Sequence, residues 1–159
     1  MKYSYVANYV GVVGQSTKIS TEKEAAASAA ISVGVARLLE NGYRRFVVSI
    51  TGDTTLIFTL ALLSMRNKHP DIFMDVLFPF IGWDKPLQNS AHYLLCMKQA
   101  DSVLYACEEA NEDSAYNANI QLQDFGKCTV VIHDGKDNPM QTFISGARDM
   151  EQDVYEIII

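Results

Sequence analysis

One stretch constrains the fold more than any other: in Phe46 to Leu56, an apolar, β-branched run meets a small polar loop, and a helical pattern follows at once. This pattern is typical of a buried parallel strand that leads into a helix. The loop places backbone N–H groups at a helix N-terminus, which carries about half a positive charge and suits a phosphate or a carboxylate. Thr51, Thr54 and Thr55 add three hydroxyl groups there. The stretch therefore predicts an α/β fold with a ligand-binding edge, without identifying a reaction.

The same alternation continues along the whole chain of 159 residues. Predicted strands lie at 9–13, 45–50, 72–78, 102–105, 128–132 and 154–159, and predicted helices at 22–40, 54–68, 89–99, 115–125 and 139–150. The Tyr- and Val-rich residues 3–8 extend the first strand pattern. This order predicts a three-layer α/β/α Rossmann-like sandwich with a mostly parallel sheet of about six strands. The length fits a single domain over 1–159.

Short-range signals set the expected ends of these elements. A capping box at residues 21–24 should begin the first helix, and Asn41-Gly42 should supply its left-handed C-terminal end. Pro79 should end the third strand, and Gly126 should end the fourth helix. In the pair Asn138-Pro139, the asparagine should cap the last helix and the proline should take its first position.

The charge, the hydrophobic runs and the cysteines of the chain argue against a nucleic-acid-binding, membrane-spanning or secreted protein. The net charge is −6, and the basic residues are scattered, which argues against a nucleic-acid-binding surface. No apolar run reaches the roughly 20 residues of a membrane span, and the N-terminus lacks a signal-peptide pattern. The three cysteines form no CxxC or zinc-ligand pattern, and Cys96 and Cys128 lie in apolar contexts typical of buried thiols. We therefore expect a cytoplasmic protein.

The carboxyl ends of parallel strands share one edge of a sheet, where ligands bind in this fold class. The candidate ligand-binding residues at this edge are Gly14, Gln15, Ser16, Thr51, Gly52, Asp53, Thr54, Thr55, Pro79, Phe80, Trp83, Tyr116 and Asn117. For the two glycine-containing loops the alternative is ordinary turn and cap chemistry. Trp83 with Phe80 could stack on a base, or could form a hydrophobic lid or an interface contact. The amides of Asn117 and Asn119 could recognise a base edge or belong to a solvated helix start.

Asp53 is the only carboxylate in the loop after the second strand that could take part in catalysis. Its carboxylate would repel a phosphate, so ribose hydroxyls or a metal-bound water are better partners. We predict no metal site, because the acidic residues at 108–113 match no ion-binding loop and indicate a solvated segment. His133 could act as a general base, although a surface-loop histidine is the more common case.

A set of ordered features resembles a known family. The features are Asn41-Gly42 before a strand, the small-residue loop after it, His69-Pro70-Asp71, Pro79-Phe80 with Trp83, Tyr93, Ala100-Asp101, and Tyr116-Asn117 followed by Asp124. In order and spacing they resemble the YpsA/YoqJ-like branch of the SLOG superfamily, which also contains the Lonely Guy phosphoribohydrolases and DprA-type DNA-binding proteins. The resemblance covers most of the chain and implies a Rossmann-like fold with a nucleotide-type ligand site.

The chain also departs from that superfamily's patterns. The usual Ser-Gly-x-x-Gly loop is replaced by Thr51-Gly52-Asp53-Thr54, and Leu56 stands at the usual acidic position. The Pro-Gly-Gly-x-Gly-Thr-x-x-Glu signature of the phosphoribohydrolases is absent, and the fifth strand leads into Asp134-Gly135-Lys136-Asp137 instead. The resemblance thus implies ligand binding more strongly than catalysis.

Three functions follow from these patterns. The first is a sensor or adaptor that binds a nucleotide or nucleotide-derived ligand, the only cofactor-like partner that the sequence suggests. The second is a phosphoribohydrolase-like or nucleotide-hydrolase-like enzyme that would depend on Asp53. The third is a homo-oligomeric assembly module without a ligand, joined through the apolar helix at 54–65, which is hydrophobic on nearly every side.

Overall fold

The architecture is a parallel sheet between two layers of helices. In the computed structural model, which describes residues 9–125 and 128–159, strands and helices alternate throughout. The elements are β1 (Val10–Gly14), α1 (Thr21–Glu40), β2 (Arg45–Ser49), α2 (Asp53–Ser64), β3 (Phe73–Phe80), α3 (Ala91–Gln99), β4 (Ser102–Cys107), α4 (Ser114–Phe125), β5 (Cys128–His133), α5 (Asn138–Asp149) and β6 (Asp153–Ile158). A short 3-10 helix, Lys85–Leu87, precedes α3.

The sheet order is β4-β3-β2-β1-β5-β6, and every pairing is parallel. The six-stranded sheet with helices on both faces confirms the predicted three-layer α/β/α sandwich. The sequence predicted a mostly parallel sheet, and in the structure all five strand pairings are parallel. The central strands are buried on both faces, so β1 and β5 are apolar along nearly their whole length. The expected extension at residues 3–8 and the helix stop at Gly126 lie outside the described residues.

Two hydrophobic clusters hold the layers together. On one face of the sheet, α1, α2 and α3 pack through residues such as Ile31, Phe58 and Cys96. On the other face, α4 and α5 pack through Leu122 and Phe143. Because side chains of a strand alternate between faces, neighbouring residues of β1 and β5 contribute to opposite clusters.

Three expected element ends are wrong in detail. The N-cap of α1 is Ser20, without a side-chain hydrogen bond, so Thr21 is already helical and makes no capping box. Pro79 lies inside β3 rather than after it. The cap of α5 is Asp137, whose carboxylate accepts a hydrogen bond from the backbone N–H of Met140, and Asn138 is the first helical residue.

Candidate functional site

The sheet order creates a crevice beside β1. The chain moves outward from β1 through β2 and β3 to β4, then returns to the other side of β1 with β5. The loops after β1 and β5 therefore lead to helices on opposite faces of the sheet. In open parallel sheets the space beyond the carboxyl ends of two such strands is the usual ligand site.

A cavity of about 130 Å³ lies at this point, and we call it the switch-point cavity. Its walls come from the turns after β1 and β2 and from the first turns of α4 and α5. The lining residues are Gly14, Gln15, Ser16, Thr51, Ala115, Tyr116, Asn119, Asp137, Pro139, Met140 and Phe143. Five of the candidates taken from the sequence, Gly14, Gln15, Ser16, Thr51 and Tyr116, therefore meet in one concave site.

Two buried carboxamides form polar parts of the cavity wall. Gln15 and Asn119 are each only 6% exposed. The Oε1 atom of Gln15 accepts a hydrogen bond of 2.8 Å from the backbone N–H of Asp134, so Gln15 joins the β1 turn to the β5 turn. The Oδ1 atom of Asn119 accepts a hydrogen bond of 2.7 Å from Ser49 Oγ, and this bond fixes the orientation of the amide. Burial and these bonds hold both amides in place next to the cavity.

Carboxylates surround the turn between β5 and α5. Asp134 Oδ1 accepts the backbone N–H groups of Lys136 at 2.8 Å and Asp137 at 3.1 Å. The hydrogen bond from Lys136, followed by those from Asp137 and Gln15, lowers the pKa of Asp134. Asp137 itself caps α5 through Oδ1, 3.0 Å from the backbone N of Met140. The turn thus brings negative charge to the helix N-terminus beside the cavity.

The threonine loop after β2 is tied to the turn after β1. Thr54 Oγ1 donates to the carbonyl oxygen of Gln15 at 3.1 Å, and Thr51 Oγ1 donates to that of Gly14 at 3.4 Å. Thr55 Oγ1 donates within its own turn, to the carbonyl of Gly52 at 3.4 Å. Thr54 and Thr55 are fully buried. In this structure the three hydroxyl groups join the chain to itself, and only Thr51 also lines the cavity.

Gly52 and Asp53 lie behind that loop. A Cβ atom on Gly52 would come 3.0 Å from the Cα of Ser16, so the two turns are in direct contact. Asp53 Oδ2 accepts a hydrogen bond of 3.1 Å from the backbone N–H of Ile19. Asp53 lines a separate cavity of about 150 Å³, shared with Glu24 and His92, on the face that α1, α2 and α3 cover. The catalytic candidate therefore does not face the switch-point cavity.

The aromatic residues after β3 pack against the protein. Trp83 stacks on Phe78, with ring centroids 5.7 Å apart and an angle of 27° between the planes, and it packs against the core. Neither it, Pro79 nor Phe80 is among the described residues that line the switch-point cavity. Asn117, half-buried on α4, is also absent from that lining. Trp83 therefore packs on the core of the protein, away from the switch-point cavity.

A buried carboxylate beside Trp83 was not among the sequence candidates. Asp84 accepts hydrogen bonds from the hydroxyl groups of Tyr93 and Tyr105, the latter at 3.4 Å. Burial, and then the hydrogen bond to Asp84, raises the pKa of Tyr93, and burial with the charge of Asp84 raises the pKa of Tyr105. The three residues belong to three separate elements, so no local signal could have grouped them.

His133 ends β5 and is only 1% exposed, which differs from the surface-loop histidine that the sequence favoured. Its Nδ1 accepts the backbone N–H of Gly135 at 3.1 Å, which leaves the proton on Nε2. Nε2 lies 2.8 Å from Glu156 Oε1, and Arg148 contacts the other oxygen of Glu156 at 3.0 Å. Through these contacts His133 on β5 is linked to Glu156 on β6, and Glu156 is linked to Arg148 on α5.

The described part of the chain contains neither a metal cluster nor a membrane-spanning helix. Among residues 9–125 and 128–159, no three His, Cys, Asp or Glu side chains are grouped to hold a metal ion. Within the same ranges, no helix has both the length and the apolar character that a membrane span requires. Comparison with known proteins returned no matching family model and no matching curated protein.

Proposed function

We propose that this chain binds a nucleotide or nucleotide-derived ligand in the switch-point cavity and acts as a sensor or adaptor. The observation that supports this most directly is the convergence of Gly14, Gln15, Ser16, Thr51 and Tyr116 on one cavity at the carboxyl edge of the sheet. The resemblance to the YpsA/YoqJ-like branch of the SLOG superfamily favours a nucleotide-type ligand over other small molecules.

The composition of the cavity supports selective binding. Small-molecule sites combine apolar walls with a few fixed polar groups. Here Met140 and Phe143 supply apolar surface, while Gln15 and Asn119 supply amides held by hydrogen bonds. The volume of about 130 Å³ is below the range of roughly 300 Å³ and more for complete drug-sized ligands. One part of a ligand enters the cavity, and the remainder extends over the rim.

Thermal unfolding with a panel of nucleosides, nucleotides and dinucleotides tests the proposal. A ligand at a hundredfold excess over its dissociation constant should stabilise the chain by about 2.7 kcal/mol and raise the unfolding temperature. Tyr116→Ala should reduce that shift, because Tyr116 lines the cavity and is 59% exposed. Leu94→Ala is the matched control, since Leu94 is 52% exposed on α3. A panel in which no compound shifts the transition would contradict the proposal.

The hydrolase alternative depends on a carboxylate beside the glycosidic bond. Asp53 lies in the other cavity and accepts a hydrogen bond from Ile19, so its position supports binding without hydrolysis. We expect Asp53→Ala to retain the ligand-induced shift. Release of free base from a nucleoside monophosphate by the unmodified chain, lost in Asp53→Ala, would favour the enzyme instead.

The proposal also covers where the chain is located in the cell and whether its copies associate. We infer a cytoplasmic location, because Cys96, Cys107 and Cys128 are all free thiols, as a reducing compartment keeps them. We also infer that copies of the chain associate through the outward side of α2, where Leu56, Ile57 and Leu60 are only partly buried. Nucleic acid is not an expected partner at a net charge of −6.

A further inference from the structure

We propose that the switch-point cavity takes an amine-bearing nucleobase and leaves the phosphate groups of the ligand outside. This inference rests on the proposed function and identifies which end of the ligand enters the site. It follows from the charge, the hydrogen-bonding groups and the size of the cavity.

The charge of the cavity disfavours a phosphate. No Lys or Arg is among the described residues that line it, and its single charged side chain is that of Asp137. Asp134 adds a second carboxylate on the same turn, and hydrogen bonds from Lys136 and Asp137 keep its pKa low. A phosphate in the cavity would therefore meet negative charge without a cationic side chain to offset it.

The N-termini of α5 and α2 do not reverse this preference. At α5, the carboxylate of Asp137 already accepts the N–H of Met140 and occupies the place where a bound anion would lie. At α2, the β1 turn covers the helix start, because Gly52 packs on Ser16 and Thr54 bonds to Gln15. Both positions that suit an anion in other α/β proteins are used by the chain itself.

The free hydrogen-bonding groups suit the edge of a base that carries an amine. Asp137 can only accept hydrogen bonds, and among the described residues its Oδ2 atom has no partner while Oδ1 caps α5. A donor such as an exocyclic amine is the matching group. Asn119 bonds to Ser49 through Oδ1, which leaves its Nδ2 group to donate to a ring nitrogen or carbonyl. A donor and an acceptor that line one cavity match in type the edge of adenine or cytosine, which carries an amine and a ring nitrogen.

The size and walls of the cavity suit a planar ring. A cavity of about 150 Å³ is known to hold benzene, and this one measures about 130 Å³ with an open side. Phe143, Met140 and Pro139 line it with apolar surface, and Tyr116 stands exposed at the rim. A base edge can enter while the ribose and phosphates remain in solvent.

Isothermal titration with adenosine, cytidine, inosine, uridine, AMP, CMP and inorganic phosphate tests the inference. We expect adenosine or cytidine to bind within about threefold of its monophosphate and to lose little affinity as salt rises, because no phosphate contact is screened. Inosine and uridine, which lack the amine, should bind at least about tenfold more weakly. Inorganic phosphate should not bind or compete.

Asp137→Asn provides the decisive variant, because asparagine remains a good helix cap while the charge is lost. It should reduce the preference for the amine-bearing base and improve the affinity for AMP relative to adenosine. Asp149→Asn makes the same charge change at the exposed far end of α5 and should leave both ratios unchanged.

Each contrary outcome has a distinct meaning. Binding of AMP at least about tenfold more tightly than adenosine, weakened by salt, would overturn this inference and leave the proposed function standing. Equal affinity for adenosine and inosine would also overturn it. If none of these compounds bound, the inference would fail, and the proposed function would fail with it only if the wider panel also produced no thermal shift.

Discussion

Gly14, at the carboxyl end of β1, shows how tightly the turns around the site are packed. A Cβ atom at this position would overlap Thr54 Oγ1 and lie 3.1 Å from Thr55 Cγ2. Both threonines are fully buried, so neither side chain can move into solvent. A glycine is required here for close approach of β1 to α2.

Gly14→Ala should therefore destabilise the chain by about 1–3 kcal/mol, the usual cost of overpacking a core. Removing Thr54 Oγ1 should relieve part of that cost, so Gly14→Ala should be less harmful in a Thr54→Ala background. Urea unfolding of the two single variants and the double variant measures this coupling. Equal costs of Gly14→Ala in both backgrounds would contradict the packing that we describe.

The connection between β3 and α3 depends on Asp84 as its anchor. This carboxylate is buried and accepts hydrogen bonds from Tyr93 on α3 and Tyr105 on β4. It thereby fastens the connection to two neighbouring elements. Because burial and Asp84 raise the pKa values of both tyrosines, the folded chain retains their protons to higher pH than the unfolded chain does.

This difference predicts a loss of stability in alkali. Unfolded tyrosine titrates near pH 10, so the contribution of Tyr93 is fully present below about pH 10 and decreases as the pH rises toward its raised folded-state pKa. Tyr93→Phe should lower the free energy of unfolding at neutral pH by about 1.5–3 kcal/mol, the value of a hydrogen bond to a charged group. It should also make the alkaline decline shallower. Denaturant unfolding at pH 7, 9 and 11 measures both effects.

Tyr116→Phe is the control for this titration, since it removes a hydroxyl group from an exposed ring on α4. The alkaline decline of this variant should equal that of the parent chain. A Tyr93→Phe variant with the same steep decline as the parent would show that Tyr93 does not contribute to it.

The secondary structure of most elements could be predicted because their signals are local. The apolar run before Thr51 and the stop at Asn41-Gly42 identified β2 and the end of α1. The prediction that Pro79 ends β3 was wrong, because a proline interrupts a strand only where a neighbouring strand needs its N–H group. The carbonyl oxygen of Leu77 accepts a hydrogen bond from the backbone N–H of Ile50, so the backbone polar groups of Leu77 face β2. Those of Pro79, two residues later, face the same side, but β2 has already ended there. Its missing N–H therefore costs no sheet bond.

The site was harder to predict than the fold, because hydrogen-bond partners are long-range. The hydroxyl groups after β2 suggested a ligand cradle, yet Thr54 bonds to Gln15, 39 residues away. Asp137 was missed because Asn138 before Pro139 was a stronger cap pattern. Asn119 was considered together with Asn117, and its place three residues after Tyr116, hence on the same side of α4, could have favoured it.

At the scale of the whole molecule, helices cover both faces of the sheet, so another copy of the chain can contact only the helices and the edge strands. α2 lies between α1 and α3 on one face, and its buried residues are Phe58, Leu62 and the three threonines Thr54, Thr55 and Thr59. Leu56, Ile57 and Leu60 remain partly exposed along its outer side. This strip is the surface through which we expect copies of the chain to meet.

Light scattering after size exclusion should therefore report a homo-oligomer. Leu60→Glu should shift it toward the monomer, because a charge would be buried at the contact. Val33→Glu, at an exposed apolar residue of α1, is the matched control and should not change the mass. A parent chain that elutes as a monomer at high concentration would rule out association through α2.

Gln15 connects the two faces of the sheet. Its carbonyl oxygen receives Thr54 from one helical layer, and its side chain receives Asp134 from the turn that leads to the other. A molecule that displaced the side-chain amide would break the bond from Asp134, while the bond from Thr54 to the backbone carbonyl would remain. One glutamine thus joins the helical layers on the two sides of the sheet through a backbone and a side-chain hydrogen bond.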